Sequence, residues 1–265
     1  MQATEHTAAT DVLTLSDISV RFGGIAALDG VSVSIPGGQL CGLIGANGAG
    51  KTTLFDIISG LRTPAGGSVL MNGRDITRWS PHRRARAGMR RTFQRAQVFG
   101  WLTIEENLLV AAEWRGGGGG VVADLVSSPT RRRREHERRE QARDVLERCG
   151  LGSIRDRPAA GVPIGTARLI ELGRALVDRP SVLLLDEPTS GLDSSDASRF
   201  GDLVAASVDD GDTAVLLVEH DVAFVMDRCH RVVALHLGSV IADGTPEQVR
   251  EDPLVLDAYL GTHTT

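Results

Sequence analysis

The chain has 265 residues, of which 42% are hydrophobic, 4% aromatic and 24% charged, a balance that excludes collagen-like, disordered and disulfide-scaffold proteins. At roughly 150 residues per domain the length fits one large or two small domains with a sizeable core. The net charge of −5 gives no bulk reason to expect nucleic acid as a partner, and no apolar run approaches the ~20 residues of a membrane-spanning helix.

Residues 1–11 lack the charged start and apolar stretch of a secretory signal and read as a disordered leader to a cytosolic protein. Residues 13–20 and 31–35 alternate apolar and polar, and Gly23-Gly24 and Pro36-Gly37-Gly38 punctuate them, so the spacing predicts antiparallel strands. A short apolar run at 40–44 ends in GANGAGKTT (45–53) and passes into a helix closing at Gly60. Residues 69–71 predict a further strand, and Ser80-Pro81 a helix start. Thr103 opens another helix, with Glu106 completing a capping box, and it closes near the flexible glycine run 116–120. Residues 131–150 mix charges at helical spacing and end on glycine, which predicts an exposed, solvated helix; a basic contact with a partner or with nucleic acid is the alternative. From Ala175 onward, strands at 182–185, 215–218 and 232–237 alternate with helices at 197–207 and 222–226, the pattern of a mostly parallel sheet flanked by helices. Two last helices start at Thr245-Pro246 and Asp252-Pro253. Cys41, Cys149 and Cys229 are far apart, odd in number and without metal-type spacing, which fits reduced thiols.

The loop at 45–53 carries the pattern GxxxxGK[ST] between a strand and a helix, the phosphate cradle of P-loop proteins. Gly45, Gly48 and Gly50 let the backbone bend, and the amides running through Ala46, Asn47, Ala49 and Thr53 supply positive potential to an anion. Lys51 is placed to neutralise β- and γ-phosphate charge, and the Thr52 hydroxyl to ligate Mg²⁺. The dinucleotide pattern GxGxxG is absent, which disfavours a nicotinamide cofactor. Lys51 is also the single lysine among 29 basic residues. A second motif, SVLLLDEPTSGLD (181–193), is a buried strand delivering Asp186 and Glu187 at its C-terminal end, where open α/β sheets bind ligands. Asp186 suits a Mg²⁺ site and Glu187 a general base polarising the attacking water; two acids after a strand can also merely cap the next element.

With these motifs in this order, nearly the whole chain resembles the ATP-binding subunits of ABC transporters. The resemblance implies an α/β, P-loop NTPase core at 12–93 and 178–243 with an N-terminal antiparallel β subdomain, an inserted helical subdomain at 94–177, and a helical tail at 244–265. It implies ATP and Mg²⁺ as cofactors, with Thr52, Gln94 and Asp186 around the metal and Lys51, Glu187 and His220 in catalysis. Gln94 in RRTFQ matches the glutamine that senses Mg²⁺ and γ-phosphate, His220 in LLVEHD the switch histidine, and Asp193 the D-loop aspartate that couples two nucleotide sites. Phe22 matches the aromatic that stacks on adenine, although a phenylalanine at a strand end is also ordinary core. The family signature LSGGQ acts on the partner subunit's ATP. Here Pro163, Ile164 and Thr166 depart from it, and Gly165 is kept. Proline offers neither hydroxyl nor N–H, so a regulatory subunit with slow hydrolysis is one alternative.

Arg168 and Glu171 in the signature helix, the long segment 96–160 and the ending GTPEQVREDPLVLDAYLG (244–261) are similar to the ATPases of branched-chain amino-acid importers. That branch implies a peripheral protein on the cytoplasmic face of the membrane, a second ATP-binding subunit that is the same chain or a paralogue, two permease subunits docked near residues 94–101, and a solute-binding protein acting indirectly. No nucleic acid is expected. The rivals are an exporter ATPase of the lipopolysaccharide type, which need not carry the AYLG tail, and a non-transport ABC ATPase, which needs long coiled coils or a second cassette.

Overall fold

The computed structural model describes residues 11–94, 97–113, 129–209 and 211–260; the expected disordered leader, apart from Asp11, the glycine run 116–120 and the last five residues of the tail lie outside the described residues. In chain order the elements are β1 (Asp11–Phe22), β2 (Ile25–Pro36), β3 (Leu40–Ile44), α1 (Lys51–Ser59), β4 (Gly66–Met71), β5 (Arg74–Asp75), α2 (Pro81–Arg86), β6 (Met89–Arg91) and α3 (Ile104–Glu113). Then follow α4 (Pro129–Arg148), a 3-10 turn (Gly152–Ile154), α5 (Ile164–Leu176), β7 (Val182–Asp186), α6 (Ser194–Ala206), β8 (Ala214–Val218), α7 (Val222–Arg228), β9 (Arg231–His236), β10 (Ser239–Gly244), α8 (Pro246–Glu251) and α9 (Pro253–Leu260). The chain divides into two compact units, the first Met1–Met89, Ser181–Leu185 and Ala205–Thr265, the second Arg90–Pro180 and Asp186–Val204.

The first unit carries two sheets. The antiparallel one has the order β2-β1-β4-β5. Its first two strands run 12 residues each, longer than 13–20 and 31–35, because backbone pairing continues to Phe22 opposite Ile25. Register shifts within the pair break the two-residue alternation, so hydrophobic pattern alone understates the strands. The second sheet has the order β10-β9-β3-β8-β7-β6, with β3 parallel to both β8 and β9. β3, β7 and β8 are buried at every residue, which is why their sequences read as continuous apolar runs. β9 stops at His236 rather than 237: Leu237 takes φ 47° and, with Gly238, turns the chain into β10, a strand whose half-buried SVIADG sequence gives no strand signal.

Leu13, Leu15 and Ile18 of β1, Leu54, Phe55, Ile57 and Ile58 of α1, and Leu216 and Val233 of the parallel sheet join in one core. The three thiols are free and buried, and burial pushes Cys41 up to about 12 and Cys149 up to about 11, so they stay protonated. Beyond α1, the buried Arg84 of α2 donates to the carbonyls of Ile57 and Ile58 at 2.6 Å each, Thr77 at 2.9 Å and Trp79 at 3.2 Å. A cation there completes the open carbonyl end of the helix that follows the glycine loop.

In the second unit three helices meet at Gly173 of α5, whose missing side chain leaves room for Leu108 of α3 and Val145 of α4, 3.3 and 3.5 Å from where a Cβ would stand. The Thr103–Glu106 capping box forms, at 2.8 and 3.1 Å. α4 is ion-paired at Arg133–Glu137 and Glu135–Arg139, but it is not exposed throughout: Ala142, Val145, Leu146 and Cys149 recur at helical spacing and are buried.

Candidate functional site

The glycine loop lies in the first unit, between β3 and α1. Gly45, Gly48 and Gly50 have φ of 154°, 82° and 109°. Gly45 and Gly50 have no alternative: a Cβ would stand 2.4 Å from the Leu235 carbonyl oxygen at the first and 2.7 Å from that of Ala27 at the second. Ala49 is buried, whereas Asn47 and Gly48 form an exposed lip. Lys51 is buried and turned back over the loop, its Nζ donating to the carbonyls of Gly45 at 2.6 Å and Ala46 at 3.1 Å. The amides of Lys51, Thr52 and Thr53 open the N-terminus of α1, a seat for an anion. Phe22 ends β1 with 42% of its surface exposed, and the Arg62 guanidinium stacks over its ring at 4.4 Å from the centroid. His220 follows β8 on the surface; its backbone N–H donates to the carboxylate of the buried Glu219 at 3.2 Å. Asp221 then caps α7 through the Phe224 N–H at 3.1 Å.

The second unit holds the acids and the segment before the helical insertion. Asp186 ends β7, 7% exposed, and its Oδ2 accepts from Arg91 Nη2 at 2.9 Å. Glu187 sits at φ 47°, a strained conformation for a glutamate and one that recurs at functional sites. Its Oε1 accepts from Gln94 Nε2 at 3.1 Å. Arg168 of α5, 2% exposed, donates to the carbonyls of Phe93 at 2.8 Å and Gln94, and pairs with Glu171 at 3.1 Å. Burial raises the Glu171 carboxyl above its usual range, against the pull of that arginine. Pro163 precedes the first turn of α5 without a side-chain cap, Ile164 is exposed and Thr166 half-buried. Gly165 is buried with Asp196 Oδ2 2.0 Å from where a Cβ would stand, so a side chain there requires the Asp196 carboxylate to move. Asp193 caps α6, its Oδ1 accepting from the Asp196 N–H at 2.8 Å.

The sequence reading missed Arg91, Glu219 and Asp196. Arg91 stands in the quoted RRTFQ and Glu219 in LLVEHD, so adjacency to Gln94 and His220 was the available signal; for Asp196, whose contact lies on another helix, there was none. The backbone-walled loop with its ammonium fits a polyphosphate. Hard oxygen donors of the kind Mg²⁺ takes are present in each unit, the Thr52 hydroxyl in the first and the Gln94 amide and Asp186 carboxylate in the second, and Asp186 already balances a cation. Among the described residues no group of three or more His, Cys, Asp or Glu could hold a metal ion.

The ABC transporter family profile matches residues 28–190, and that of the branched-chain amino acid ATP-binding cassette transporter matches residues 239–264. The chain is 38% identical over 250 residues to the high-affinity branched-chain amino acid transport ATP-binding protein BraF of Pseudomonas aeruginosa, covering 94% of this chain and 98% of that protein. It is 33% identical to the lipopolysaccharide export system ATP-binding protein LptB of Haemophilus influenzae, over 94% and 97% of the two chains. An ATP-binding cassette of an ABC transporter in its ADP conformation superposes with a TM-score of 0.80 at 30% identity, over 95% and 99% of the chains.

Proposed function

The chain belongs to the ABC transporter ATP-binding family, and we propose that it is the ATP-binding and ATP-hydrolysing subunit that powers import of branched-chain or related amino acids through separate membrane subunits. The observation that carries the ATPase is the glycine loop closed around Lys51 at the start of α1. The match of residues 239–264 favours import over lipopolysaccharide export.

In this reading the loop amides and Lys51 bind the phosphates, and Phe22 stacks on adenine once Arg62 gives up or shares its ring. Glu187 accepts the proton of the attacking water, held by Gln94 until substrate arrives, and His220 orients that water. Thr52, Gln94 and Asp186 would hold Mg²⁺, which would supply neutralisation of phosphate charge. Gly165 and the N-terminus of α5 serve the ATP of a second cassette, with the Gly165 amide doing what Pro163 cannot. Asp193 couples the two sites. The subunit sits peripherally on the cytoplasmic face, against two permeases.

Glu187→Gln keeps ATP binding, loses hydrolysis and accumulates an ATP-dependent dimer on size exclusion; undiminished hydrolysis overturns the catalytic assignment. Leucine uptake by vesicles containing the permeases and a solute-binding protein, driven only when this chain and ATP are inside, tests the import reading.

A further inference from the structure

Arg91 and Gln94 stand three residues apart, and each holds one of two consecutive acids: Arg91 holds Asp186 at 2.9 Å and Gln94 holds Glu187 at 3.1 Å. The Arg91–Asp186 pair is largely out of solvent, with both side chains 10% exposed. Arg168 grips the backbone of the same segment at Phe93 and Gln94. Segment 91–94 is therefore tied to both acids and to the signature helix, all within one unit.

A carboxylate this buried needs a positive partner. In the present arrangement the partner is Arg91. Under the proposed function it is a divalent ion, and the two cannot share the carboxylate at full strength, because a guanidinium 2.9 Å from Asp186 and a dication on the same group repel each other. The guanidinium has another seat nearby: it already lies 5.5 Å from the Phe93 ring centroid, inside the range of cation–π attraction.

We infer that Arg91 is a positioning residue that stands in for the metal at Asp186 and has to be displaced when metal and nucleotide bind. This rests on the ATPase reading. Its consequence is that arrival of the metal is felt at Gln94, three residues along the same backbone, and through Arg168 at the signature helix. Arg91 thereby sets how much free metal the subunit needs and links metal occupancy to the segment that precedes the helical insertion.

The test is Mn²⁺ binding to the full chain in the presence of ADP, followed by the electron paramagnetic resonance of free Mn²⁺, so that turnover plays no part. Arg91→Gln lowers the Mn²⁺ midpoint at least about threefold, because Asp186 has lost its competing cation. Metal with ADP then raises the melting temperature more in this variant than in the unsubstituted chain. Arg91→Lys, which keeps the charge without the planar fork, moves the midpoint the same way by a smaller factor. In Asp186→Asn the Arg91→Gln change no longer moves the midpoint. Unchanged midpoints in both Arg91 variants, or a shift that persists in Asp186→Asn, overturn the inference. Should the unsubstituted chain bind no ADP, it is the ATPase reading that fails.

Discussion

Lys51 is the only lysine of the chain, while every surface that merely needs positive charge uses arginine. Its Nζ reaches two carbonyls of the glycine loop, at 2.6 and 3.1 Å. A compact ammonium fits there, whereas a planar guanidinium with five fixed donors is too wide. Lys51→Arg therefore weakens ATP binding at least about tenfold, ~1.4 kcal/mol, with an unchanged circular dichroism spectrum. Isothermal titration checks this, and an unchanged affinity means that charge alone suffices at the loop. At this scale the residues whose chemistry is local were legible: the glycines, Lys51, Thr52 and the two acids follow from what a phosphate cradle requires. Arg91 was not, because its meaning comes from a partner 95 positions away that only the folded sheet brings near. Gly165 was legible as a survivor of the signature, but its neighbour, the Asp196 carboxylate where a Cβ would stand, lies on another helix.

α1 has an anion seat at one end and a buried cation at the other. Gly50 and Gly60, both left-handed, bound the helix, and Arg84 closes the carbonyls of Ile57 and Ile58. Removing the guanidinium strands four carbonyls, two of them those of Thr77 and Trp79. Arg84→Met is accordingly expected to destabilise the protein by about 3 kcal/mol, read from the shift of the urea midpoint at constant slope. Arg84→Lys recovers only part, since one ammonium cannot reach the span of the fork. A loss below ~1 kcal/mol means that water replaces the cation. The elements with strong local signals, α1, β7, β8 and the capped starts of α3 and α8, stood where periodicity and caps placed them. β5, β6 and β10 are short or half polar, and neighbouring strands rather than their own residues hold them in place. α6 begins at Ser194, three residues before the expected 197, because Asp193 itself supplies the cap.

No described helix is long and apolar enough to cross a membrane, and the proposed import function assigns the crossing to separate permeases. Two aromatics of the second unit are candidates to meet such a chain: Trp101 is 83% exposed and Phe93 45%, and large aromatics left in water are the side chains that dominate interfaces once buried. Phe93 also belongs to the segment that carries Arg91 and Gln94, and Arg168 holds its carbonyl. A permease pressing on Phe93 would thus press on the backbone that restrains both acids. Trp101→Ala is expected to reduce co-purification with the permeases about thirtyfold, the effect of losing ~2 kcal/mol at an interface anchor. ATP binding by the isolated chain stays within about twofold, since Trp101 is 83% exposed and its loss leaves no cavity. Equal recovery of both forms with the membrane fraction moves the docking surface elsewhere on the molecule.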